Sequence, residues 1–213
     1  YRLASKVTVF RDSRYIGTYD VAKITNADLI KAMVGREIKD LFPKKKVAVG
    51  AEILRVEGLT RTGYFKEVSV AVNKGEIVGL TGLVGAGRTE VAEALFGVTR
   101  SERGNIYVEG QRVSIRQPSD AMALGIGLLP EDRQKSGLIL SWGLGRNVTL
   151  STLEKYKKGW FLDEQKERET AKQYLEAVDT KAGSIFDPAS SLSGGNQQKV
   201  VVAKTLVQDL KLV

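Results

Sequence analysis

Apolar and polar positions alternate along this chain with two different periods. Val7-Thr8-Val9-Phe10 and Tyr15-Ile16-Gly17-Thr18 are β-rich runs around the polar turn Arg11-Asp12-Ser13-Arg14, a pattern that predicts a hairpin. Thr25-Asn26-Ala27-Asp28 reads as the cap of a short helix, with Leu29, Ile30 and Met33 on one face and Gly35 at its end. From Arg36 to Gly50 the chain turns basic and irregular around Pro43 and Lys44-Lys45-Lys46, which predicts a linker and a domain boundary. Beyond it, Ile53-Leu54-Arg55-Val56 and Val68-Ser69-Val70-Ala71-Val72 alternate as strands, with Gly58 and Gly63 between them. After the turn Asn73-Lys74-Gly75, the run Glu76–Thr81 is mostly apolar, as expected of a strand covered on both faces. Thr89–Phe96 predicts a helix with Val91, Ala94 and Leu95 inward and Gly97 as its stop. Two further short strands follow at Gly104–Gly110 and Gly125–Leu129. Asp163–Val178 is a charged amphipathic helix with Ala171, Tyr174, Leu175 and Val178 as its stripe, and the run VVVAKTLV after Lys199 predicts a helix packed on one face.

Composition narrows the class without naming it. At 213 residues the chain has room for one domain, or one domain plus part of another. Apolar residues at 42% and charged residues at 27% match ordinary globular usage and argue against disorder. No apolar run approaches the roughly 20 residues that span a bilayer, and Tyr1 reads as a fragment boundary. Cys is absent, which removes disulfides and thiolate metal sites; His is absent too, which removes the usual neutral-pH base. The net charge of +8 permits contact with an anionic surface or nucleic acid. The basic residues are spread along the chain, however, and aromatics do not interleave them, so they read as solvated surface and no nucleic-acid partner is expected.

Candidate chemistry sits in two glycine-rich stretches. Gly82-Leu83-Val84-Gly85-Ala86-Gly87-Arg88-Thr89 follows an apolar run and opens a helix: Gly, four residues, Gly, then a cation and Thr. Phosphate binding needs that spacing. Glycines let backbone N–H groups close on phosphate oxygens, the helix N-terminus adds positive potential, and the Thr hydroxyl reaches Mg²⁺. A tight strand–helix turn is the plain alternative, and a dinucleotide-binding loop would require Gly where Glu90 stands. The second stretch is Leu192-Ser193-Gly194-Gly195-Asn196-Gln197-Gln198-Lys199, which bares backbone amides at the start of a helix.

Together GLTGLVGAGRTE and LSGGNQQKVVVAKTL resemble the phosphate loop and the signature segment of ATP-binding cassette (ABC) proteins. GIGLLPEDR is similar to the family's Q-loop strand, with Glu131 where most members carry Gln. GLVGAGR, PEDR and SGGNQQK resemble the second cassette of the fused double-cassette subunits of bacterial monosaccharide importers. VTVFRDSRYIGTYD and the helix ending MVGRE are similar to the end of their first cassette. The resemblance implies an α/β fold: a P-loop NTPase core with an antiparallel β region and a helical subdomain, stopping before the Walker B strand. It implies residues 1–35 as the tail of a preceding cassette, 36–51 as a linker and 52–213 as the N-terminal part of a second cassette. ATP and Mg²⁺ are the implied cofactors, on Gly82, Gly85, Ala86, Gly87, Arg88 and Thr89, with Thr89 and Glu131 toward the metal. Glu131 either serves Mg²⁺ or water, or shapes the loop to the helical subdomain. Tyr64 either stacks on adenine or packs locally, and Phe65 reads as core. Ser193, Gly194, Gly195 and Asn196 would face a nucleotide held by another cassette. Asn147–Val178 would form much of the helical subdomain, which in the family meets a membrane subunit.

The implied function is the ATPase subunit of a sugar importer, peripheral on the cytoplasmic face of the membrane. Its partners would be permease subunits, a second cassette and, through the permease, an external sugar-binding protein. A soluble double-cassette protein acting on ribosomes or DNA is the alternative, and a nucleotide-dependent dehydrogenase a third. Two departures from the family pattern stand out. Arg88 replaces Lys and differs from it in shape and hydration. Leu210-Lys211-Leu212-Val213 is similar to the start of the strand that carries the family's metal-site Asp and catalytic Glu, and the sequence ends there. The chain by itself is therefore expected to bind nucleotide without hydrolysing it.

Overall fold

The structure, a computed structural model, describes residues 3–11, 14–35 and 47–213. They fall into two compact units, 1–47 and 48–213. The basic stretch 36–46 of the expected linker lies outside the described residues, as do Asp12 and Ser13 of the first turn.

In the first unit β1 (Lys6–Arg11) and β2 (Arg14–Asp20) pair antiparallel, as the alternation predicts, with a register shift between Val9 and Phe10. Helix α1 (Asn26–Val34) starts where Thr25 accepts the Asp28 N–H at 3.1 Å and stops at Gly35, whose φ of +85° is the left-handed stop that glycine adopts without strain. The expected apolar face of α1 is not buried within this unit: Leu29 is half-covered, while Ile30 and Met33 are exposed.

The second unit is built on a four-stranded antiparallel sheet in the order β4-β3-β5-β6. Its strands are β3 (Glu52–Arg61), β4 (Phe65–Asn73), β5 (Arg103–Val108) and β6 (Gln111–Val113). Val56 of β3 stands opposite Val70 on one side and Ile106 on the other, so its side chain is shielded by both neighbours. Ile53, Leu54, Leu59, Phe65, Ile106 and Val108 bury against Val91 and Ala94 of α2 (Arg88–Phe96) and Ala121 of α3 (Pro118–Ala123).

Two expected strands do not form ladders. Glu76–Thr81 is extended but unpaired among the described residues, and Ile77 is 98% exposed. An apolar run of that kind is stable as a strand when a sheet covers both its faces and neighbours take its N–H and C=O groups; the antiparallel sheet here ends at β4 and β6. Gly125–Leu129 makes one parallel bridge, Ile126 to Leu212, with the Gly127 N–H donating to the Leu212 carbonyl at 2.9 Å.

The remaining helices form a second core. After a π turn at Arg133–Gly137 come α4 (Leu144–Thr149), the small hairpin β7 (Lys157–Lys158) and β8 (Phe161–Leu162), α5 (Glu164–Ala177) and α6 (Gly194–Leu206). Leu144 and Val148, Ala171 and Leu175, and Val200, Val201 and Ala203 meet in this core, with the expected Tyr174 and Val178 half-buried at its margin. Its polar centre is the buried Asn147. Asn147 Oδ1 accepts the Ile139 N–H at 2.8 Å, and Nδ2 donates to the carbonyls of Ile139, Trp142 and Gly143 at 3.0–3.2 Å.

Replacing that amide by a methyl group strands the Ile139 N–H and empties a buried polar position, while the carbonyls of Ile139, Trp142 and Gly143 keep the backbone N–H groups of Trp142, Ala189 and Asn147. Asn147→Ala is expected to cost about 2–3 kcal/mol. Urea unfolding should show a lower midpoint with an unchanged slope. An unchanged midpoint would contradict the assignment of Asn147 as the polar anchor of this core.

Candidate functional site

The loop 82–89 enters α2 in a backbone conformation set by glycine. Gly85 has φ +81° and Gly87 φ +79°, both left-handed, and Gly87 is the N-cap of the helix. Glycine at position 87 is required twice over. A Cβ there would adopt a strained φ, and it would stand 2.5 Å from the Tyr64 carbonyl oxygen. That close approach fixes the loop against the β3–β4 turn. Among the described residues, the N–H groups of Gly85, Gly87, Arg88 and Thr89 donate to no group of the chain, whereas the Ala86 N–H closes a turn on Leu83. Four free N–H donors at a helix start form a ready anion cradle. The Arg88 guanidinium folds back toward the Leu83 carbonyl at 3.4 Å and stays exposed.

Arg88 and Thr89 line a cavity of about 1020 Å³ together with Glu131, Asp132, Arg133 and Gln134. The structure thus brings Arg88, Thr89 and Glu131 to one cavity. Gly82, Gly85, Ala86, Gly87 and Tyr64 lie outside the lining of that cavity. The Tyr64 ring instead has the Arg61 guanidinium over one face at 4.0 Å, which leaves its other face available. Thr89 Oγ1 and the Glu131 carboxylate are hard oxygen donors. Mg²⁺ takes such donors one or two at a time, completing its shell with phosphates and water, so the pair fits that ion.

Ser193 is the N-cap of α6, and its φ of −61° and ψ of 155° are extended. Its hydroxyl oxygen accepts from Asn196 Nδ2 at 3.2 Å, which leaves the O–H free to donate outward. Asn196 Oδ1 accepts the Lys181 N–H at 3.0 Å. The N–H groups of Gly194, Gly195 and Asn196 have no acceptor among the described residues. None of these four residues lines the cavity beside Arg88 and Thr89.

Sequence reasoning passed over the residues that join the two stretches. Gln197 is 4% exposed, and its Oε1 accepts from Arg133 Nε at 3.2 Å and Gln134 Nε2 at 3.3 Å, while Nε2 donates to the Ala189 carbonyl at 3.1 Å. Asp132 caps the π turn by accepting the Lys135 and Gln134 N–H groups; those bonds hold its carboxyl below the usual carboxylate range. From α6, Lys204 Nζ donates to the Gly137 carbonyl at 3.0 Å, and burial pushes its ammonium below the ordinary lysine value. The available signal was a glutamine on the inward stripe of α6, three and four residues before the buried Val200 and Val201.

Comparison with known proteins follows the same lines. The family described as ABC transporter matches residues 65–213. The ribose import ATP-binding protein RbsA of Rhodococcus jostii (strain RHA1) is 45% identical over 204 residues, covering 96% of this chain and 41% of that protein. Its namesake in Geobacillus kaustophilus (strain HTA426) is 41% identical over 213 residues, covering 100% of this chain and 43% of that protein. The chain spans about two fifths of the length of these curated relatives. Among solved structures, the dimeric ATP-binding cassette MJ0796 bound to ADP and Pi superposes with a TM-score of 0.60 at 19% identity, covering 74% of this chain and 71% of that one.

The packing of Arg133 on the start of α6 yields a direct test. A Cβ on Gly194 would stand 2.7 Å from Arg133 Nη2, so Gly194→Ala must displace a guanidinium that is tied to Gln197. In an Arg133→Ala background the same substitution meets no such obstacle and keeps the helix-propensity gain. The double-mutant cycle, read by urea unfolding, is expected to give a coupling of about 1 kcal/mol. Additive effects would contradict the contact.

Proposed function

Because the chain belongs to the ABC transporter family, we propose that it supplies the nucleotide-binding part of the ATPase subunit of a bacterial sugar importer. The observation that carries this reading is the set of free N–H groups at Gly85, Gly87, Arg88 and Thr89 beside a cavity that Arg88, Thr89 and Glu131 share. The relatives named as ribose import ATP-binding proteins support sugar as the cargo class. In this reading residues 1–35 belong to a preceding cassette, 36–51 link it, and 52–213 begin a second one. Permease subunits, reached through the helical subdomain, and an external sugar-binding protein beyond them complete the assembly, with the subunit peripheral on the cytoplasmic face.

When bound, Mg-ATP supplies the phosphoanhydride bond whose cleavage drives transport. The chain's own residues bind and orient. The N–H groups of Gly85, Gly87, Arg88 and Thr89 donate to phosphate oxygens, Arg88 adds positive charge without the compact fit of Lys, and Thr89 Oγ1 offers an oxygen to Mg²⁺. Glu131 faces the same space and orients water or metal ligands. Ser193, Gly194 and Gly195, whose free donors do not line this cavity, serve a nucleotide on a second cassette. MJ0796, which shares the fold, is described as dimeric.

Titration with Mg-ATP tests the assignment. Wild type should bind, and Thr89→Ala should bind about tenfold more weakly, a loss of about 1.4 kcal/mol that disappears in EDTA. Equal affinities with Mg²⁺ present would contradict the role of Thr89, and an absence of binding by wild type would contradict the loop assignment. The chain alone should also release no phosphate above background. It has no His to position water, and its own signature donors do not line its own cavity. Robust turnover by the chain would overturn that part of the reading.

A further inference from the structure

Between the 3₁₀ segment at Leu150–Tyr156 and α5, the chain turns back on itself as the hairpin β7–β8, with Lys157 opposite Leu162 and Lys158 opposite Phe161. Gly159, at φ +65°, and Trp160 form the turn. Trp160 is 99% exposed and Phe161 80%, so two adjacent aromatic rings project with almost no protein against them. The base of the hairpin is held firmly. Tyr156 is buried, the Asp163 N–H donates to the Tyr156 carbonyl at 2.8 Å, and Lys155 Nζ reaches Asp209 at 2.6 Å and the Val207 carbonyl at 3.0 Å. Lys157 and Lys158 flank the rings in solvent. Lys157 meets Glu154 at 2.5 Å in an exposed pair of little strength, and Lys158 has no acidic partner among the described residues.

We propose that this tip docks on the surface of an anionic phospholipid bilayer, with Trp160 and Phe161 entering the headgroup layer and Lys157 and Lys158 meeting lipid phosphates. A ring bare on all sides marks a convex projection. Such a wedge suits a deformable surface, which closes around it, better than a rigid face, which would need a matching groove. Indole is the side chain that settles at a membrane–water boundary, because its ring is apolar while its N–H keeps a polar partner. Lysines beside it gain from the negative potential of acidic lipids, and the net charge of +8 on the chain has the matching sign. The contact goes beyond the nucleotide reading and holds whether or not the phosphate loop binds ATP.

Vesicles test it on the chain as it stands. The sequence has two tryptophans, so a Trp142→Phe background leaves Trp160 as the fluorescent reporter. Vesicles of equal parts phosphatidylglycerol and phosphatidylcholine should sediment the chain and shift Trp160 emission to the blue, and vesicles of phosphatidylcholine alone should do so weakly. Trp160→Ala/Phe161→Ala, which keeps every charge, should lower the bound fraction about fivefold, and Lys157→Glu/Lys158→Glu should do the same. Both variants should unfold at the wild-type temperature. Wild-type binding by the aromatic variant would overturn the proposal by assigning binding to net charge. So would failure of the wild type to bind acidic vesicles, or self-association that Trp160→Ala abolishes in their absence.

Discussion

The side-chain amide of Gln197 is buried at the start of α6 and hydrogen-bonded within the chain, to Arg133 and Gln134 through its oxygen and to the Ala189 carbonyl through its nitrogen. Three segments meet at that one group: the loop after Glu131, some sixty residues upstream, the 3₁₀ turn at Ala189–Ser191, and the helix that carries the free amides of Gly194 and Gly195. A buried amide tolerates such a position when all its donors and acceptors are matched, and a partial match would cost more than an apolar side chain there. The loop that lines the cavity beside Arg88 and Thr89 is therefore bound to the start of α6.

The antiparallel sheet plays the corresponding part for the phosphate loop. Its β3–β4 turn places the Tyr64 carbonyl where only a glycine at position 87 can pass, and Gly87 in turn caps α2. The loop is thus positioned by backbone contact, while its N–H groups stay free. The apolar run 76–81 before it remains uncovered among the described residues, and the parallel bridge between Ile126 and Leu212 is the first rung of pairing on that side. One half of the site is therefore built on the antiparallel sheet, while the run 76–81 that leads into it pairs with no strand among the described residues.

Much of this architecture was legible in the chain. The hairpin at Val7–Thr18, the Thr25 cap with its Gly35 stop, and the helices following Gly87, Asp163 and Ser193 all follow from local rules of alternation, capping and glycine conformation. Glu76–Thr81 read as a strand because its side chains suit one; whether a strand forms depends on neighbours, which a local pattern cannot supply. Glycines 82 and 87 pointed to phosphate because their spacing, followed by a cation and Thr89, carries the chemistry. Arg133, Gln134 and Gln197 gave no comparable signal, since their partners lie 63 and 64 residues apart and a polar residue on an apolar stripe does not name its partner. The aromatic tip at Trp160 was hidden for the same reason: exposure is a property of the fold.

The central claim is that the phosphate loop receives nucleotide within this chain while the donors at the start of α6 wait for a nucleotide held elsewhere. Amide hydrogen exchange of the monomeric chain with a non-hydrolysable Mg-ATP analogue measures both halves at once. The account predicts slower exchange at the N–H groups of Gly85–Thr89, and unchanged exchange at Gly194–Asn196. Protection of Gly194–Asn196 in the monomer, or none at Gly85–Thr89, would contradict it.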